Sequence, residues 1–225
     1  FPDRLREEGK PEGWVSTKLG TLCSRVAMGP FGSDITTDNF IDHGVPVVRG
    51  GNLKNGFVDA DFVFVSEAKA DALKNANAFP GDVVITHRGT LGQVGIVPKN
   101  ARYRRYVASQ SQMLISADLT KSSPRFLFEF LRSVDGMQQL LAYTNQVGVP
   151  AIARPTTSLK ALDITLPPQE LVRHFDKLLG PLVDREAANS MEMRSLAATR
   201  DFLLPQLMSG KIRVKDAEKI VEMAA

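Results

Sequence analysis

The stretch that decides the fold is 167–209, PPQELVRHFDKLLGPLVDREAANSMEMRSLAATRDFLLPQLMS. After its opening proline pair, the only further glycine and proline residues in it are Gly180, Pro181 and Pro205. Apolar side chains recur along it at alternating steps of three and four residues, which places them on one stripe of a helix. The residues of this apolar stripe are Leu171, Phe175, Leu178, Leu182, Leu196, Leu203 and Leu207.

A helix of this length carries more apolar stripe than a small domain can cover. At about 1.5 Å per residue, roughly forty residues make a rod on the order of 60 Å long. The stripe is interrupted by Arg185, Asn189 and Glu192, and a polar patch of this kind weakens helix pairing while fixing its register. Pro181 is expected either to kink the helix or to divide it in two, and Gly210 is expected to end it. The stretch therefore predicts a long helix that pairs with another helix.

The composition of the 225-residue chain is that of an ordinary globular protein, with 43% apolar and 24% charged residues. No apolar run approaches the ~18 residues that a membrane span requires. Residues 1–10 are charged and contain no apolar signal-peptide core. Cys23 is the single cysteine, so neither an internal disulfide nor a cysteine metal cluster is expected. These features favour a cytoplasmic location without membrane attachment.

The remainder of the chain is predicted to form a globular head, 14–166, preceded by a polar linker, 1–13, and separated by the helix, 167–209, from a C-terminal tail, 210–225. One head helix is expected over Arg125–Leu141, because Ser123 and Pro124 form a typical helix start. Short strands without regular βαβ alternation or repeats make the fold class α+β. The predicted strands and β-type runs are Trp14–Leu19, Val45–Val48, Phe57–Val65, Val83–Ile85, Gln93–Val97, Ser111–Ser116 and Leu162–Leu166. Two further expectations are a short helix over Glu67–Ala78 and a loop over Tyr143–Pro155.

Basic residues in this sequence are concentrated in predicted loops. The net charge is only +3, so the position of the charges carries more information than their sum. Arg102, Arg104 and Arg105 surround Tyr103, and further cations lie in or beside glycine-rich turns: Arg49, Lys54, Arg88 and Lys99. Exposed basic loops are how proteins contact phosphates, although a solubilising surface explains any single residue equally well.

Catalytic motifs are missing from the sequence. The three histidines, His43, His87 and His174, are far apart and have no spacing suited to a metal. The glycine-rich segment Gly89–Gly95 lacks both the lysine of a Walker loop and the helix that follows a dinucleotide fingerprint. We therefore expect no metal, no cofactor and no catalytic activity of the chain by itself.

Several segments, taken in this order, resemble a type I restriction–modification DNA specificity subunit. Any one of them is a weak match, and the Leu166–Glu170 segment is a shortened form of the family's Leu-Pro-Pro-x-x-Glu-Gln motif. Together they cover most of the chain. The matching segments are Pro11–Trp14, Lys18–Gly20, Gly29–Ser33, Gly44–Leu53, Gly81–Gly92, Gln146–Pro150, Leu166–Glu170 and Leu196–Gly210.

The resemblance implies a division of labour. A complete subunit of the family has two target recognition domains, which read the two parts of a split DNA target, and two long helices, which pair in an antiparallel coiled coil. This chain has one of each, so the resemblance implies a C-terminal half or a half-subunit. Such a chain would form a homodimer through the helix or pair with the other half. Partner modification subunits would bind S-adenosylmethionine and methylate adenine, and restriction subunits would use ATP and Mg²⁺ to translocate and cut double-stranded DNA.

In this family the head presents loops to base edges in the major groove. For Arg88 an alternative is an ion pair with Asp82. The expected DNA contacts are Arg49, Asn52, Lys54, His87, Arg88, Thr90, Arg102, Tyr103, Arg104, Arg105, Gln110 and Gln112.

Two other classes of function compete with this interpretation. One is a non-catalytic protein–protein interaction module that dimerises through its C-terminal helix and does not bind DNA. The other is an enzyme, which the missing motifs make the least favoured. A steep salt dependence of DNA binding would distinguish a DNA-reading protein from an interaction module, because DNA binding releases counterions.

Overall fold

In the computed structural model, which describes residues 11–54, 56–145, 148–214 and 216, the chain divides into two units. The first unit ends at Lys177 and the second begins at Leu178, so their boundary falls inside the predicted long helix. Residues 1–10 of the predicted linker and 217–225 of the predicted tail lie outside the described residues. In the described part of the chain, no helix combines the length and the apolar character needed to cross a membrane.

The first unit is built from short strands and helices, and a long helix follows it. The strands are β1 (Val15–Lys18), β2 (Cys23–Met28), β3 (Val45–Val48), β4 (Val63–Val65), β5 (Asn77–Ala78), β6 (Val83–Thr86), β7 (Val94–Ile96), β8 (Tyr106–Ala108), β9 (Gln112–Ala117), β10 (Thr144–Asn145), β11 (Ala151–Ile152) and β12 (Asp163–Leu166). The helices are α1 (Glu67–Ala72), α2 (Pro124–Arg132), α3 (Val134–Leu141), α4 (Pro155–Lys160) and α5 (Gln169–Met208). The predicted α+β class with a long C-terminal helix is confirmed.

Two four-stranded sheets organise the first unit. One has the order β2-β9-β6-β7 with all neighbours antiparallel, and the other has the order β4-β3-β8-β5 with a parallel pair at β3 and β8. Both faces of β6 are covered, as expected of a continuous apolar strand. Val83 and Ile85 pack with Phe126 and Leu127 of α2, whereas Val84 packs with Tyr106 on the second sheet. The core is therefore layered, because successive strand side chains point to opposite faces.

A separate two-stranded sheet joins the beginning of the first unit to the strand that precedes the long helix. β1 pairs antiparallel with β12, from Val15 opposite Leu166 to Lys18 opposite Asp163. Helix α5 begins only three residues after β12, and its first turns stay on the same unit. Val172 is buried at 2% exposure, and the Asp176 carboxylate accepts a hydrogen bond from the Ser123 hydroxyl at 2.8 Å. The pairing thus brings the entry of the first unit beside the start of the long helix.

The predicted helix Arg125–Leu141 is wrong in one respect, since it is two helices. Ser133 lies between them in an extended conformation, and its hydroxyl accepts a hydrogen bond from the Gly136 amide at 3.1 Å. The backbones approach so closely there that a Cβ on Gly136 would lie 2.1 Å from the Phe130 carbonyl oxygen. The break therefore depends on a serine cap and a glycine, signals that helical periodicity does not contain.

Three other predicted elements are shorter or more structured than expected. Of the run Phe57–Val65 only Val63–Val65 is a strand, and of Glu67–Ala78 only Glu67–Ala72 is α-helix. The segment predicted as a loop, Tyr143–Pro155, contains the hairpin β10–β11 and the first residue of α4.

Helix α5 runs as one 40-residue helix with Pro181 and Pro205 inside it, so the predicted alternative of two helices is wrong. Gly210 adopts a left-handed φ of +69°, and the Lys211 amide donates to the Gln206 carbonyl at 3.0 Å. This is the glycine-dependent helix end that the sequence predicts.

The apolar stripe of α5 differs along its length. Phe175 packs edge-to-face on Phe126 with 6.4 Å between ring centroids, and Leu203 is only 7% exposed. The chain itself buries Leu203, so its predicted role in pairing with another helix is not supported, whereas Phe175 is only partly buried. Leu207 is partly buried. The exposed members of the stripe are Leu171, Leu178, Leu182 and Leu196.

Candidate nucleic-acid interface

The loops that carry most of the predicted DNA contacts meet at one edge of the first unit. The His87 amide donates to the Ser111 carbonyl at 2.9 Å, and the Ser109 amide donates to the Val48 carbonyl at 2.9 Å. These bonds join the carboxyl ends of β3, β6 and β8 to the start of β9. We call the residues 49–54, 87–92 and 109–112 the polar rim.

A further segment, which the sequence analysis did not assign to the site, extends the polar rim. The Gly89 amide donates to the Pro150 carbonyl at 2.8 Å, and the Ile152 amide donates to the His87 carbonyl at 2.9 Å. Arg88 and Ala151 form an isolated β-bridge. Its sequence signal was the glycine-containing Gln146–Pro150 match, of which Gln146 and Val147 lie outside the described residues.

Glycines allow the rim loops to approach each other closely. A Cβ on Gly50 would lie 2.7 Å from the Gln93 side-chain oxygen, and a Cβ on Gly29 would lie 1.9 Å from the Ser109 carbonyl oxygen. At Gly29 the obstacle is backbone, which cannot move aside, so a side chain there would displace the rim.

Buried amides form the base of the polar rim. The Gln112 side-chain amide donates to the Thr86 hydroxyl at 3.2 Å, and this hydroxyl lies 3.1 Å from the Gln93 side-chain oxygen. The Asn52 side chain accepts from the Arg49 amide at 3.0 Å and donates to the Ala60 carbonyl at 2.8 Å. Gln112 is 1% exposed and Asn52 is 4% exposed. Their predicted DNA contacts are not supported, because both side chains are buried and hydrogen-bonded within the protein.

His87 is also buried in the rim, at 7% exposure. Its Nε2 atom lies 3.2 Å from the Gln110 carbonyl oxygen, and burial, reinforced by the nearby Arg88 charge, lowers the pKa of the ring below its ordinary value. A neutral ring donating from Nε2 to Gln110 accounts for this geometry. The predicted DNA contact of His87 is therefore not supported, and the ring fixes the turn that presents Gln110.

The remaining predicted residues of the rim have exposed side chains. Arg88 is not paired with Asp82, the alternative left open by the sequence, because Asp82 forms an ion pair with Arg25 at 2.6 Å and accepts from the Ser116 hydroxyl. Within the described residues, Arg88 has no ion-pair partner. The exposed rim residues from the predicted set are Arg49, Lys54, Arg88, Thr90 and Gln110.

The basic loop, residues 102–105, lies at the opposite end of β8 from the turn 109–112. The Arg105 guanidinium binds the carboxylates of Glu67 and Asp71, with 2.6 Å to Asp71, and these hydrogen bonds raise the pKa of Arg105. The basic loop and the turn 109–112 are therefore separated by the length of β8, and the segment 59–61 accepts hydrogen bonds from both Arg102 and the rim residue Asn52. Of the three arginines in the basic loop, Arg105 has its charge neutralised by Glu67 and Asp71.

Aromatic packing holds the basic loop to the second sheet. Tyr103 is half-buried, with its ring edge-to-face on Phe62 and Tyr106 at 6.1 and 5.8 Å. The Arg102 guanidinium lies 5.4 Å from the Tyr103 ring centroid, and the Arg102 amide donates to Asp59 at 2.7 Å. Tyr103 thus acts as a packing residue, and its predicted contact with DNA is not supported. Arg102 and Arg104 are exposed.

Among the described residues, no three histidine, cysteine, aspartate or glutamate side chains are grouped so that they could hold a metal ion. Burial raises the pKa of the Cys23 thiol to about 12, and its sulfur donates to the Leu19 carbonyl. A thiol with this pKa is a poor nucleophile at neutral pH.

The family model of the type I restriction modification DNA specificity domain matches residues 11–177 of this chain. The specificity subunit of the type I restriction enzyme MjaIX from Methanocaldococcus jannaschii is 22% identical over 219 residues, which are 96% of this chain and 48% of that protein. The HindI specificity subunit from Haemophilus influenzae is 23% identical over 203 residues, 90% of this chain and 42% of that protein. The chain thus spans about half the length of these relatives.

Solved structures share the fold. The type I restriction–modification S subunit from M. genitalium matches 87% of this chain and 46% of its own, with a TM-score of 0.60 and 14% identity. The HsdS subunit from Thermoanaerobacter tengcongensis matches 91% of this chain and 50% of its own, with a TM-score of 0.56 and 20% identity. A chain from a type I R-M system structure concerned with complex assembly and conformational transition has a TM-score of 0.57 and 20% identity, and the match covers 90% of this chain and 46% of its own.

Proposed function

We propose that this chain, which belongs to the type I restriction modification DNA specificity domain family, reads one half of a bipartite DNA target through its polar rim. One observation carries the proposal. The rim gathers the exposed Arg49, Lys54, Arg88, Thr90 and Gln110 at one edge of the first unit, on loops that the buried hydrogen bonds of Asn52, His87 and Gln112 hold in place.

The exposed rim residues suit base and phosphate contacts of different kinds. The arginines Arg49 and Arg88 have the planar fork that binds guanine O6 and N7 in the major groove. Gln110 has the amide that pairs with adenine N6 and N7. Lys54, a flexible point charge, is suited to phosphate, which positions the protein without specifying sequence.

The chemistry is proposed to belong to partner subunits. Methyltransferase subunits would hold S-adenosylmethionine and methylate adenine, and restriction subunits would hold ATP and Mg²⁺ and would translocate and cut the DNA. The chain would be the non-catalytic component that directs both to the target, in the cytoplasm. The similarity to type I specificity subunits supports this division.

Helix α5 is proposed to pair in an antiparallel coiled coil. Leu178, Leu182 and Leu196 are 72%, 66% and 59% exposed, at the spacing that one helix offers another. The partner would be a second copy of this chain or the other half of the specificity subunit. A solution mass near twice 24.6 kDa by light scattering supports the homodimer, and a monomer across the concentration series contradicts it.

The DNA-reading proposal is tested by selection from a pool of random-sequence duplexes with the purified full chain at low salt. We expect one enriched sequence motif and an affinity that falls steeply as salt rises, since each neutralised phosphate releases counterions. Absence of any enriched sequence, with salt-insensitive self-association intact, would instead support the protein–protein interaction module.

A further inference from the structure

We propose that Phe31 is an apolar wedge that inserts between base pairs of the bound DNA. This inference rests on the proposed function and adds a residue outside the predicted set of contacts. Phe31 lies in the Gly29–Ser33 segment, which the sequence analysis matched to the family without assigning it a DNA contact. Its side chain is 74% exposed, which is unusual for a phenylalanine and unnecessary for the fold.

The turn projects from the polar rim itself. The Gly29 amide donates to the Gln112 carbonyl at 2.8 Å, and the close approach of Gly29 to Ser109 leaves no room for a side chain. Phe31 is therefore separated by one residue from a backbone position fixed on the turn 109–112. In the proposal, a ligand bound at this turn also meets the Phe31 ring.

The turn also holds Phe31 in one backbone conformation. Pro30 restricts the chain before it, and the Asp34 amide donates to the Phe31 carbonyl at 2.7 Å after it. The backbone at Phe31 is extended, with φ −79° and ψ 147°. A proline before the ring and a hydrogen-bonded turn after it restrict the backbone, which lowers the conformational entropy lost on insertion.

DNA is the ligand that explains an exposed aromatic ring beside polar and basic groups. Rim cations hold phosphates at the edge of a groove, and an apolar side chain projecting beside them can separate a base step and stack on the exposed base. Phe31 also lines an open groove of about 670 Å³ with Arg25, Lys74 and Thr156. The ring is therefore open to solvent and to this groove.

The test uses the full chain and the duplex motif enriched from the random pool, with 2-aminopurine placed at successive positions. We expect 2-aminopurine fluorescence to rise at one step when the wild-type chain binds, because the wedge unstacks that base. Phe31→Ala is expected to abolish this rise and to weaken binding roughly tenfold to a hundredfold. Phe31→Trp is expected to retain both signals.

Leu119→Ala is the matched control. Leu119 is 72% exposed and follows β9, at the end opposite to the rim, so its removal is expected to change neither the fluorescence nor the affinity. Thermal unfolding of Phe31→Ala is expected to match the wild type, because the side chain packs little against the protein.

Three results would overturn the wedge. The first is an enriched motif that Phe31→Ala binds as tightly as the wild type, which leaves the proposed function standing. The second is that Phe31→Ala binds more weakly than the wild type to the thymine-containing duplex but equally well when uracil replaces thymine. This result would indicate that Phe31 contacts a thymine methyl group and does not insert. The third is no enriched motif, which removes the proposed function and the wedge together.

Discussion

In the sequence, the polar rim and the basic loop 102–105 look equally suited to DNA. In the structure, their side chains differ in exposure and in the partners they have within the protein. In the rim, buried polar side chains hold the loops and leave Arg49, Arg88 and Gln110 exposed. In the basic loop, Arg105 is bound by two carboxylates and Tyr103 is packed among aromatic rings. The comparison shows that the protein's own carboxylates occupy one arginine of the basic loop, Arg105, whereas Arg88 of the rim has no ion-pair partner within the described residues.

The largest expected effect is a loss of stability when Asp59, which accepts hydrogen bonds from the basic loop, is replaced. Asp59 is 9% exposed and accepts from the Tyr106 hydroxyl and the Arg102 amide, both at 2.7 Å. Asp59→Ala leaves these donors without that acceptor and is expected to destabilise the chain by about 3 kcal/mol in denaturant unfolding. Binding of the folded protein to DNA should stay unchanged. The exposed Asp42→Ala is the control, and weakened DNA binding at unchanged stability would place the basic loop in the interface.

The second effect is a difference in DNA affinity between an arginine variant of the rim and one of the basic loop. Arg88→Ala is expected to weaken binding to the preferred duplex by about 1–3 kcal/mol in competition assays, because a bidentate base contact is lost. Arg105→Ala removes the same charge from the chain but is expected to change affinity by less than about twofold, since Glu67 and Asp71 already bind that guanidinium. Equal losses from the two variants would mean that general charge, and not position, governs binding.

The third effect compares two glutamines of the rim, the buried Gln112 and the exposed Gln110, by the stability and the DNA affinity of their alanine variants. Gln112→Ala leaves the buried Thr86 hydroxyl without one partner, so we expect a loss of about 1–3 kcal/mol in thermal unfolding. Gln110→Ala is expected to change stability by less than about 0.5 kcal/mol and to weaken DNA binding instead. The reverse pattern would contradict the assignment of the two side chains.

The smallest effect is a pH dependence that originates in the rim. Burial lowers the pKa of His87 from its ordinary value of 6.5, so the folded chain binds fewer protons than the unfolded chain once the pH falls below 6.5. The stability contributed by His87 is therefore complete above that pH and is lost as the pH falls through the pKa of the folded state. His87→Gln is expected to flatten this part of the stability profile, and the exposed His43→Gln is not. Identical profiles of stability against pH for the wild type and His87→Gln would show that folding does not lower the pKa of His87.

Local patterns were sufficient for the long helix and insufficient for the rim. The spacing of three and four and the position of Gly210 predicted α5, because both signals lie within the helix itself. The other predicted helix is broken by the Ser133 cap together with the close backbone approach at Gly136, and apolar periodicity contains neither signal.

At Gln112 and Arg105 the physical cause of the error is the distance in sequence between the residue and its partners. Gln110 and Gln112 are two residues apart, yet one is exposed and the other is buried against Thr86, 26 residues earlier. Arg105 meets carboxylates that precede it by 34 and 38 residues. Such partners become visible only when the strands are paired, so the sequence could not predict which side chains of these loops face the solvent.

Side-by-side duplex selection with the wild type, Arg88→Ala and the double variant Arg102→Ala/Arg104→Ala tests the central claim most directly. If the polar rim reads the DNA, Arg88→Ala relaxes the preference at one position of the enriched motif, and the double variant retains the whole motif. If the basic loop reads it, the double variant loses base preferences while Arg88→Ala keeps them, and the assignment of the interface to the rim is contradicted.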